Sequence, residues 1–439
     1  MRFKARVAVV VLSTMIAFYA IIGGLMTRTG EAVARQSPAN QLEVFDEVLS
    51  HIIRNYVDQP DLEKVRIGSL RGLAEGIDAY SAYLTPEQVK QYNPGASQPE
   101  IGVVLAKVGG YAYALGVLKG SPAEQAGIRK GDFIEYIGKV PSRELSLYDA
   151  QQLLSGSAGS SIELRIVHQG QPRKVTVTRA KVNQPAIEGR MEEPGIGYIK
   201  VTTLVDGKVN EIKSTLAELV SKGAQKIVLD LRDSSNGRLQ EGAAVANLFI
   251  GAGVLARLEG KEGRDLQNYA ADPNKVAFTG PLTVLIDRTT ASAAEVVAAA
   301  VRDQKRGEIV GDRTFGAGTE QKLFSLSDGG ALLITTAKYA PAAGKPFIDE
   351  AIVPTVKVER PAEPDVAPSD GDDDDTEEPP QASHPKVESQ PPQPAEDIQL
   401  KKAIEILKQT PAKASAPQKR AALPSSRNKS RDENYEFAT

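Results

Sequence analysis

The sequence predicts a mixed α/β protein, and three patterns predict it. Between residues 196 and 357, apolar strand-like runs alternate with amphipathic helical runs, which is typical of an α/β core. From residue 40 to 92 the apolar residues recur at helical spacing. Between 100 and 182 short strands alternate with glycine turns. A chain of 439 residues is long enough for two or three domains.

Composition excludes several functional classes. A net charge of −3 provides no basic field, so we expect no nucleic-acid partner. The chain has no cysteine, which excludes disulfides, thiolate nucleophiles and cysteine zinc sites. Its three histidines, His51, His168 and His384, form no HExxH pair, so the zincin class of metalloprotease is excluded. A Ser-His hydrolase is a remote alternative, because one of these histidines would have to reach the main domain.

The N-terminus predicts a membrane anchor. Three basic residues among the first six precede the apolar run Val7–Met26, which is long enough to cross a bilayer. Positive charge before such a run keeps the N-terminus cytoplasmic and exports the chain after the run. We therefore assign residues 1–28 to a signal anchor and place the body outside the cytoplasm, on the periplasmic side. Ala32–Ala34 resembles a signal-peptidase site, so cleavage and secretion to the periplasm is the alternative.

Two segments lie between the anchor and the core. Residues 38–94 are predicted to be helical, and Thr85-Pro86-Glu87 is an N-cap, N1 proline and acidic first turn. Residues 98–182 are predicted to hold a short helix at 121–126, a strand at 133–137, a helix in SLYDAQQLLSG and a hairpin about the turn 169–172.

The order of the elements in 98–182 resembles a PDZ domain of the kind carried by secreted proteases. PDZ domains bind extended C-terminal peptides by adding a strand at a sheet edge. The resemblance places the carboxylate-binding loop at Ile101, Gly102 and Val103. Glu100 stands where the family usually has glycine, and an anion there would oppose a bound carboxylate.

The remaining chain divides into a core and three C-terminal pieces. Residues 359–395 are acidic and proline-rich, which predicts a disordered, solvated insert rather than a metal-binding or partner-binding one. Residues 396–409 form an amphipathic closing helix, and 410–439 a polar disordered tail. The core itself is assigned to 183–358, with predicted strands at 196–201, 226–231, 282–287, 307–312 and 330–339 and predicted helices at 208–223, 237–250 and 292–306.

Ser292 begins the last core helix. Ser292 and Glu295 fit a capping box, in which each side chain bonds the other residue's backbone N–H. A serine at a helix N-terminus also lies at the positive end of the helix dipole, where an oxyanion is stabilised. The local pattern is therefore compatible with a cap and with a nucleophile.

The segment from TTASAAE to TFGAGTEQ, with the helical, PDZ and core order around it, resembles the carboxyl-terminal processing (tail-specific) proteases over about residues 40–408. That family's core pattern reads SASASE…QD…VGE-TFGKG-VQ. The resemblance implies a ClpP/crotonase-like α/β protease core with an inserted PDZ domain and an N-terminal helical segment. It implies serine-type cleavage near protein C-termini without metal or cofactor. Protein or peptide C-termini would be the partners, and homo-oligomer formation is left open.

The resemblance assigns roles to five positions. Ser292 matches the nucleophile, and Gln321 matches the glutamine that orients the base. The N–H groups of Gly237 and Ala293 match the oxyanion hole. Asp303 matches the aspartate of the QD pair, but it lies eleven residues along the same helix, about 16 Å away at 1.5 Å per residue, which favours a supporting role.

Two departures from the family pattern fall in this site. The family's general-base lysine falls at position 317, where this chain has Ala317. A buried neutral lysine takes the serine's proton in such dyads, and alanine cannot. The family loop DLRNNPGGLL reads DLRDSSNGRL here, with Ser235 in place of proline and Asn236 in place of the first glycine.

The sequence therefore predicts a carboxyl-terminal processing peptidase homologue that acts outside the cytoplasm and is impaired by Ala317. Lys305, Lys322 and Lys338 are not convincing replacement bases by their positions. A base supplied by a partner chain is one alternative. A pseudoprotease that serves as a PDZ-based binding or scaffold protein is the other. Loss of a general base lowers the rate by roughly 10²–10⁴, which leaves room for residual turnover.

Overall fold

The structure is a computed structural model, and it describes residues 15, 18, 38–93, 98–359 and 396–411. Most of the predicted anchor, the acidic insert after residue 359 and the tail after 411 lie outside these residues. None of the helices within the described ranges combines the length and apolar composition that a membrane span requires. The chain divides into two compact units between Leu73 and Ala74.

The first unit contains helix α1 (Pro38–Asn55) and most of helix α2 (Leu62–Glu75). The predicted helical periodicity is found on α1. Its apolar side chains include Leu42 and Phe45, which are exposed over 68% and 47% of their surface. Exposed apolar groups of this size are typical of a contact surface.

The second unit begins with strand β1 (Ala82–Leu84) and helix α3 (Pro86–Gln91). Thr85 caps α3 as the sequence predicted. Its hydroxyl accepts from Gln88 N at 3.4 Å, and the Gln88 amide oxygen accepts from Thr85 N at 2.9 Å. Pro86 occupies the first helical turn, where a missing N–H has no consequence.

A small β domain follows, built on one sheet with the strand order β2-β3-β4-β6-β7 and β5 paired to β4. Its turn between β6 and β7 is two residues long. Gln169 and Gly170 both have positive φ, as a tight hairpin turn requires, so the turn is shorter than the predicted 169–172. The elements are β2 (Val103–Val108), β3 (Tyr111–Val117), α4 (Pro122–Gln125), β4 (Phe133–Ile137), β5 (Val140–Pro141), α5 (Leu147–Leu154), β6 (Ser161–His168) and β7 (Gln171–Thr178).

The core holds two sheets. One has the order β17-β14-β13-β10-β9-β8 and is parallel except for β8, and the other has the order β1-β16-β11-β12 with β15 paired to β16. The strands are β8 (Glu188–Glu193), β9 (Ile196–Lys200), β10 (Lys226–Asp230), β11 (Val254–Glu259), β12 (Asp265–Ala270), β13 (Leu282–Ile286), β14 (Glu308–Gly311), β15 (Thr319–Ser325), β16 (Ala331–Ala340) and β17 (Val356–Lys357). The helices are α6 (Lys208–Ser221), α7 (Leu239–Asn247), α8 (Ala293–Asp303) and α9 (Ile398–Gln409). The predicted mixed α/β class is confirmed.

Helix α8 runs through the centre of the core. Residues 293–301 are all buried, because their side chains are alanine and valine apart from Glu295. Small side chains let α7 approach closely, and a Cβ at Gly242 of α7 would collide with the Ala293 carbonyl. Helix α7 begins at Leu239 and not at the predicted 237, because Gly237 has a φ of +112° and belongs to the preceding loop.

Helix α9 docks on the core through a buried arginine. Asp397 caps α9, and its two carboxylate oxygens also accept from the Arg232 guanidinium at 2.9 and 2.8 Å. Arg232 pairs with Asp230 at the end of β10 as well. The closing helix is thus fixed to the start of the loop that follows β10.

Candidate active site

Three loops meet at one edge of the parallel sheet. Strands β10, β13 and β14 are neighbours and run in the same direction, so the loops that leave their carboxyl ends lie side by side. The first loop carries Gly237, the second ends at Ser292, and the third leads to Ala317. The sheet topology therefore brings together three of the positions that the sequence singled out.

Ser292 occupies a strained turn between β13 and α8. Its φ of 57° and ψ of −118° are rare for a residue with a side chain, and such strain is concentrated at functional sites. Its hydroxyl donates to the Gly237 carbonyl with an Oγ–O distance of 2.8 Å. Its backbone N–H donates to Glu295 Oε2 at 3.0 Å, which is one half of the predicted capping box.

The Glu295 carboxylate connects this turn with the loop that carries Ala317. Oε2 accepts from the backbone N–H groups of Ser292 and Ala317, at 3.0 and 2.8 Å. Oε1 accepts from the Thr314 hydroxyl and from Gly316 N, the latter at 2.9 Å. Because the backbone N–H groups of Ser292 and Ala317 bond to the same oxygen atom, the positions predicted for the nucleophile and for the base lie next to each other.

Glu295 is fully buried. Burial raises the pKa of its carboxyl group to about 7, although the four hydrogen bonds it accepts act in the opposite direction. The raised pKa places the change in protonation of this group near neutral pH, and the four donors favour its ionised form.

Ala317 is 7% exposed and belongs to an apolar cluster. Phe315 packs against this cluster from the same loop, and Ala291 joins it from the turn before Ser292. The other members come from the face of the β domain that is turned to the core: Ala106, Tyr111, Tyr113, Leu115, Phe133 and Val167. The position of the family's lysine is therefore covered by side chains of the β domain.

The two N–H groups predicted for the oxyanion hole are available. Within the described residues, neither Gly237 N nor Ala293 N donates to an acceptor. Gly237 fits tightly, since a Cβ there would lie 2.9 Å from the Ala293 Cβ. The arrangement has the free donors that an oxyanion hole needs, and the role of the two groups stays a prediction.

The altered loop before Gly237 is held by hydrogen bonds. The Asn236 amide oxygen accepts from the Thr203 hydroxyl at 2.8 Å and from Leu204 N at 3.4 Å. The Ser234 carbonyl accepts from Ala291 N at 2.8 Å. The residues that differ from the family pattern thus form specific contacts in this chain.

Of two further predicted site residues, Gln321 bonds to residues other than Ser292, and Asp303 lies far from Ser292 along helix α8. The Gln321 amide donates to the Thr319 and Thr335 hydroxyls, at 2.6 and 3.3 Å, and so stays within its own sheet. Asp303 ends α8, roughly 15 Å of helix from Ser292, and accepts from Arg302 at 3.0 Å. The roles assigned to Gln321 and Asp303 stay predictions.

None of the three lysines considered as replacement bases is buried. Lys305 and Lys322 are exposed, and Lys338 pairs with Asp349 at 2.9 Å. A lysine that acts as a base at neutral pH must be desolvated to lose its proton. These side chains therefore lack the burial that the chemistry requires.

The loop predicted to hold a ligand carboxylate lies beside β2. Gly102 has a φ of +84°, and a Cβ there would collide with Ser121, so only glycine fits. Among the described residues, the N–H groups of Ile101 and Gly102 have no acceptor, and β2 pairs only with β3. Burial raises the pKa of the Glu100 carboxyl, which adjoins this loop.

Two family descriptions match parts of the chain. Residues 195–358 match peptidase family S41, and residues 113–167 match the PDZ domain. A solved photosystem II D1 C-terminal processing protease is similar with a TM-score of 0.61 and 29% sequence identity, over 72% of this chain and 86% of that one.

Curated relatives are carboxyl-terminal processing peptidases. The C-terminal processing peptidase of Tetradesmus obliquus is 32% identical, over 67% of this chain and 67% of its own length. Carboxyl-terminal-processing peptidase 2 of Arabidopsis thaliana is 34% identical over 61% of this chain, and the match spans only 55% of that relative. The processing protease CtpA of Bacillus subtilis is 29% identical over 78% of this chain and 72% of its own.

The pKa of Glu295 makes a prediction about stability. An unfolded glutamate titrates near 4.3, and folding raises this pKa, so the contribution of Glu295 is fully present below pH ~4.3 and is lost as the pH rises through about 7. At ~1.4 kcal/mol per pKa unit, the loss is up to roughly 4 kcal/mol. In the parent protein, this loss should lower the free energy of unfolding between pH 5 and 8. Glu295→Gln should remove that part of the decrease, as measured by urea denaturation across this pH range.

Glu144→Gln is the matched control, because Glu144 is exposed. The free energy of unfolding of this variant should change with pH as that of the parent protein does. Equal slopes for the parent and Glu295→Gln would show that Glu295 does not titrate in this range.

Proposed function

Since the chain belongs to the carboxyl-terminal processing peptidases of family S41, as its sequence predicted, we propose that it is a member whose peptidase activity is impaired by Ala317 and that acts by binding peptide C-termini. The proposal needs no metal or cofactor, since the family's reaction uses side chains alone. The whole protein's substrates are not assigned beyond this class.

The observation that carries the proposal is the environment of position 317. Alanine has no proton acceptor, and the surrounding cluster is apolar. The Ser292 hydroxyl donates to the Gly237 carbonyl, which cannot take its proton away. The hydrogen-bond partner of the Ser292 hydroxyl is therefore not a base. Nucleophilic attack requires a base, because the hydroxyl proton has to leave.

A second candidate is an enzyme that receives its base from elsewhere, for example from a partner chain. Two observations favour it. Ser292 keeps a strained backbone, and the Gly237 and Ala293 N–H groups are free of acceptors within the described chain. Such features serve covalent chemistry, in which the two N–H groups would stabilise an oxyanion.

The peptide-binding part of the proposal rests on the PDZ domain. An extended peptide can pair with the free edge of β2 and direct its terminal carboxylate to the N–H groups of Ile101 and Gly102. The Glu100 carboxylate would oppose this anion when it is ionised.

We also infer that the body works on the outer side of a membrane and that Val7–Met26 anchors it there. The length of the apolar run and the basic residues before it support this placement. The alternative is secretion after cleavage near Ala34.

Restoring the base should restore chemistry. We expect Ala317→Lys to raise the cleavage rate of an unstructured protein with an apolar C-terminus by roughly 10²–10⁴ over the parent. The apolar cluster should lower the pKa of the new amine and leave part of it neutral. The activity should disappear when Ser292→Ala is added.

Ala317→Met is the control, because it adds a side chain of similar length without an amine. An inert Ala317→Lys with an unchanged fold would attribute the impairment to the loop before Gly237. Strong cleavage by the parent, lost on Ser292→Ala, would overturn the proposed impairment and favour the second candidate.

Peptide binding should depend on Glu100 and on pH. In a Ser292→Ala background, a peptide with an apolar C-terminal residue should bind more tightly as the pH falls through the raised pKa of Glu100. Protonation of Glu100 removes the repulsion between its carboxylate and the carboxylate of the peptide. Glu100→Gly and the isosteric Glu100→Gln should tighten binding at pH 7 by several-fold and flatten this pH dependence, measured by calorimetry. Equal affinities for free-acid and amidated peptides would rule out carboxylate recognition.

Membrane attachment is tested by extraction. The parent should stay in the carbonate-washed membrane pellet and be digested by protease added to the outer face. Ile16→Arg puts a charge near the middle of the run, which costs about 3 kcal/mol, and should weaken attachment. Recovery of the parent as a soluble species that begins at Arg35 would favour the cleaved-signal alternative.

A further inference from the structure

Three of the positions at which this chain departs from the family pattern lie at one contact, where the PDZ domain meets the active-site loops. Ala317, in place of lysine, joins the apolar cluster formed by the PDZ face. Ser235, in place of proline, lies against Gly116 of β3, where a Cβ would collide with the serine hydroxyl. Asp233, in place of asparagine, pairs with Lys130 of the PDZ domain.

Lys130 lies in the turn before β4, and its ammonium group reaches two carboxylates of the core. It donates to Asp233 Oδ1 and lies 3.4 Å from Asp287 Oδ2. Lys200 holds Asp233 from the other side, with Nζ 3.1 Å from Oδ2. The charges alternate, so each carboxylate has a cation beside it.

The position of Asp233 is well defined. Its φ of 64° is unusual for a residue with a side chain, and Asp287 Oδ1 accepts from its backbone N–H at 3.4 Å. Burial acts to raise the pKa of Asp233, but Lys200 and Lys130 outweigh it and hold the pKa well below its usual range. The carboxylate is therefore ionised at neutral pH and available to Lys130.

The apolar cluster alone does not fix the PDZ domain in one orientation, because apolar contacts are not directional. A partly buried ion pair is directional and becomes weaker when salt screens it. Lys130 and Asp233 are 42% and 38% exposed, and both line a cavity of about 320 Å³ between the PDZ domain and the core. Salt can therefore reach this pair.

We propose that the ion pairs of Lys130 with Asp233 and Asp287 form a latch that holds the PDZ domain closed over residue 317. The cluster supplies the apolar contact, and the latch selects the closed orientation. The small side chain of Ala317 makes this closure compatible with an apolar lining, because a lysine there would place an amine among aromatic rings. In this proposal Ala317 has two effects: it allows the PDZ domain to close over the active-site loops, and it leaves the site without the base.

A single thiol can test the latch, because the chain has no cysteine of its own. Ala317→Cys places a thiol beneath the PDZ face, and a maleimide should react with it only when the domain opens. Asp233→Asn removes the charge, and asparagine tolerates the positive φ. We expect Asp233→Asn and Lys130→Met each to raise the labelling rate of Cys at 317 by roughly 5- to 30-fold, the factor that corresponds to 1–2 kcal/mol.

Three controls distinguish the latch from general loosening. Lys174→Met removes an exposed lysine on β7 and should leave the labelling rate unchanged. A thiol placed at exposed Ser325 should react at the same rate in every background. Combining Asp233→Asn with Lys130→Met should give less than the product of the two single effects, because both remove one interaction.

Salt provides an independent readout. Added sodium chloride should accelerate labelling at 317 in the parent background and have little effect after Lys130→Met. Labelling at the parent rate in both Asp233→Asn and Lys130→Met would overturn the proposal, as would an equal increase with Lys174→Met. The experiment uses neither substrate nor peptide, so its outcome is independent of the proposed function.

Discussion

The position of every group in the candidate site depends on one buried carboxylate. Glu295 accepts hydrogen bonds from the nucleophile turn through Ser292 N and from the neighbouring loop through Thr314, Gly316 and Ala317. A buried donor without an acceptor destabilises a protein by about 1–3 kcal/mol. Both loops are therefore bound to Glu295 through groups that do not include the side chain of residue 317.

The fold class, the PDZ segment and the peptidase segment could be predicted because they depend on local patterns. Period-two strands, 3.6-period helices and the Thr85 cap are set by residues within a few positions of one another. The contacts of Glu295 with the 314–317 loop are not of this kind, and the cap motif accounted for only one of the hydrogen bonds that Glu295 accepts. A glutamate surrounded by alanines and valines on a buried helix was the available signal, because such a carboxylate must find donors. Its partners in that loop, nineteen or more residues away, follow only from the strand order.

The contact between the PDZ domain and the core could not be predicted from local patterns either, although the sequence of β3 gave one indication of it. In YAYALGV the odd positions Tyr111, Tyr113 and Leu115 face the core cluster, while Ala112 and Ala114 face the interior of the PDZ domain. A sheet exposed to water on one face alternates apolar with polar residues, and a strand that is apolar on both faces is covered on both. The sequence thus indicated that something covers β3, whereas the identity of that surface required the structure. Lys130 and Asp233 are 103 positions apart, and no spacing rule links them.

The proposed impairment concerns one group of the candidate site and not the arrangement of the others. A serine hydroxyl that donates to a carbonyl can turn to another staggered position quickly, since side-chain rotamers exchange on fast time scales. The strained backbone at Ser292 does not depend on that rotation, nor do the N–H groups of Gly237 and Ala293, which have no acceptor among the described residues. Rotation does not by itself bring the hydroxyl to a free base, because the side chains clustered around Ala317 are apolar and the Glu295 carboxylate beside them already accepts from four donors. The proposed impairment is therefore one of acid–base chemistry, and it leaves the predicted nucleophile and the predicted oxyanion donors in place. Under the proposed function, the side chain at position 317 decides between binding a peptide terminus and cleaving it.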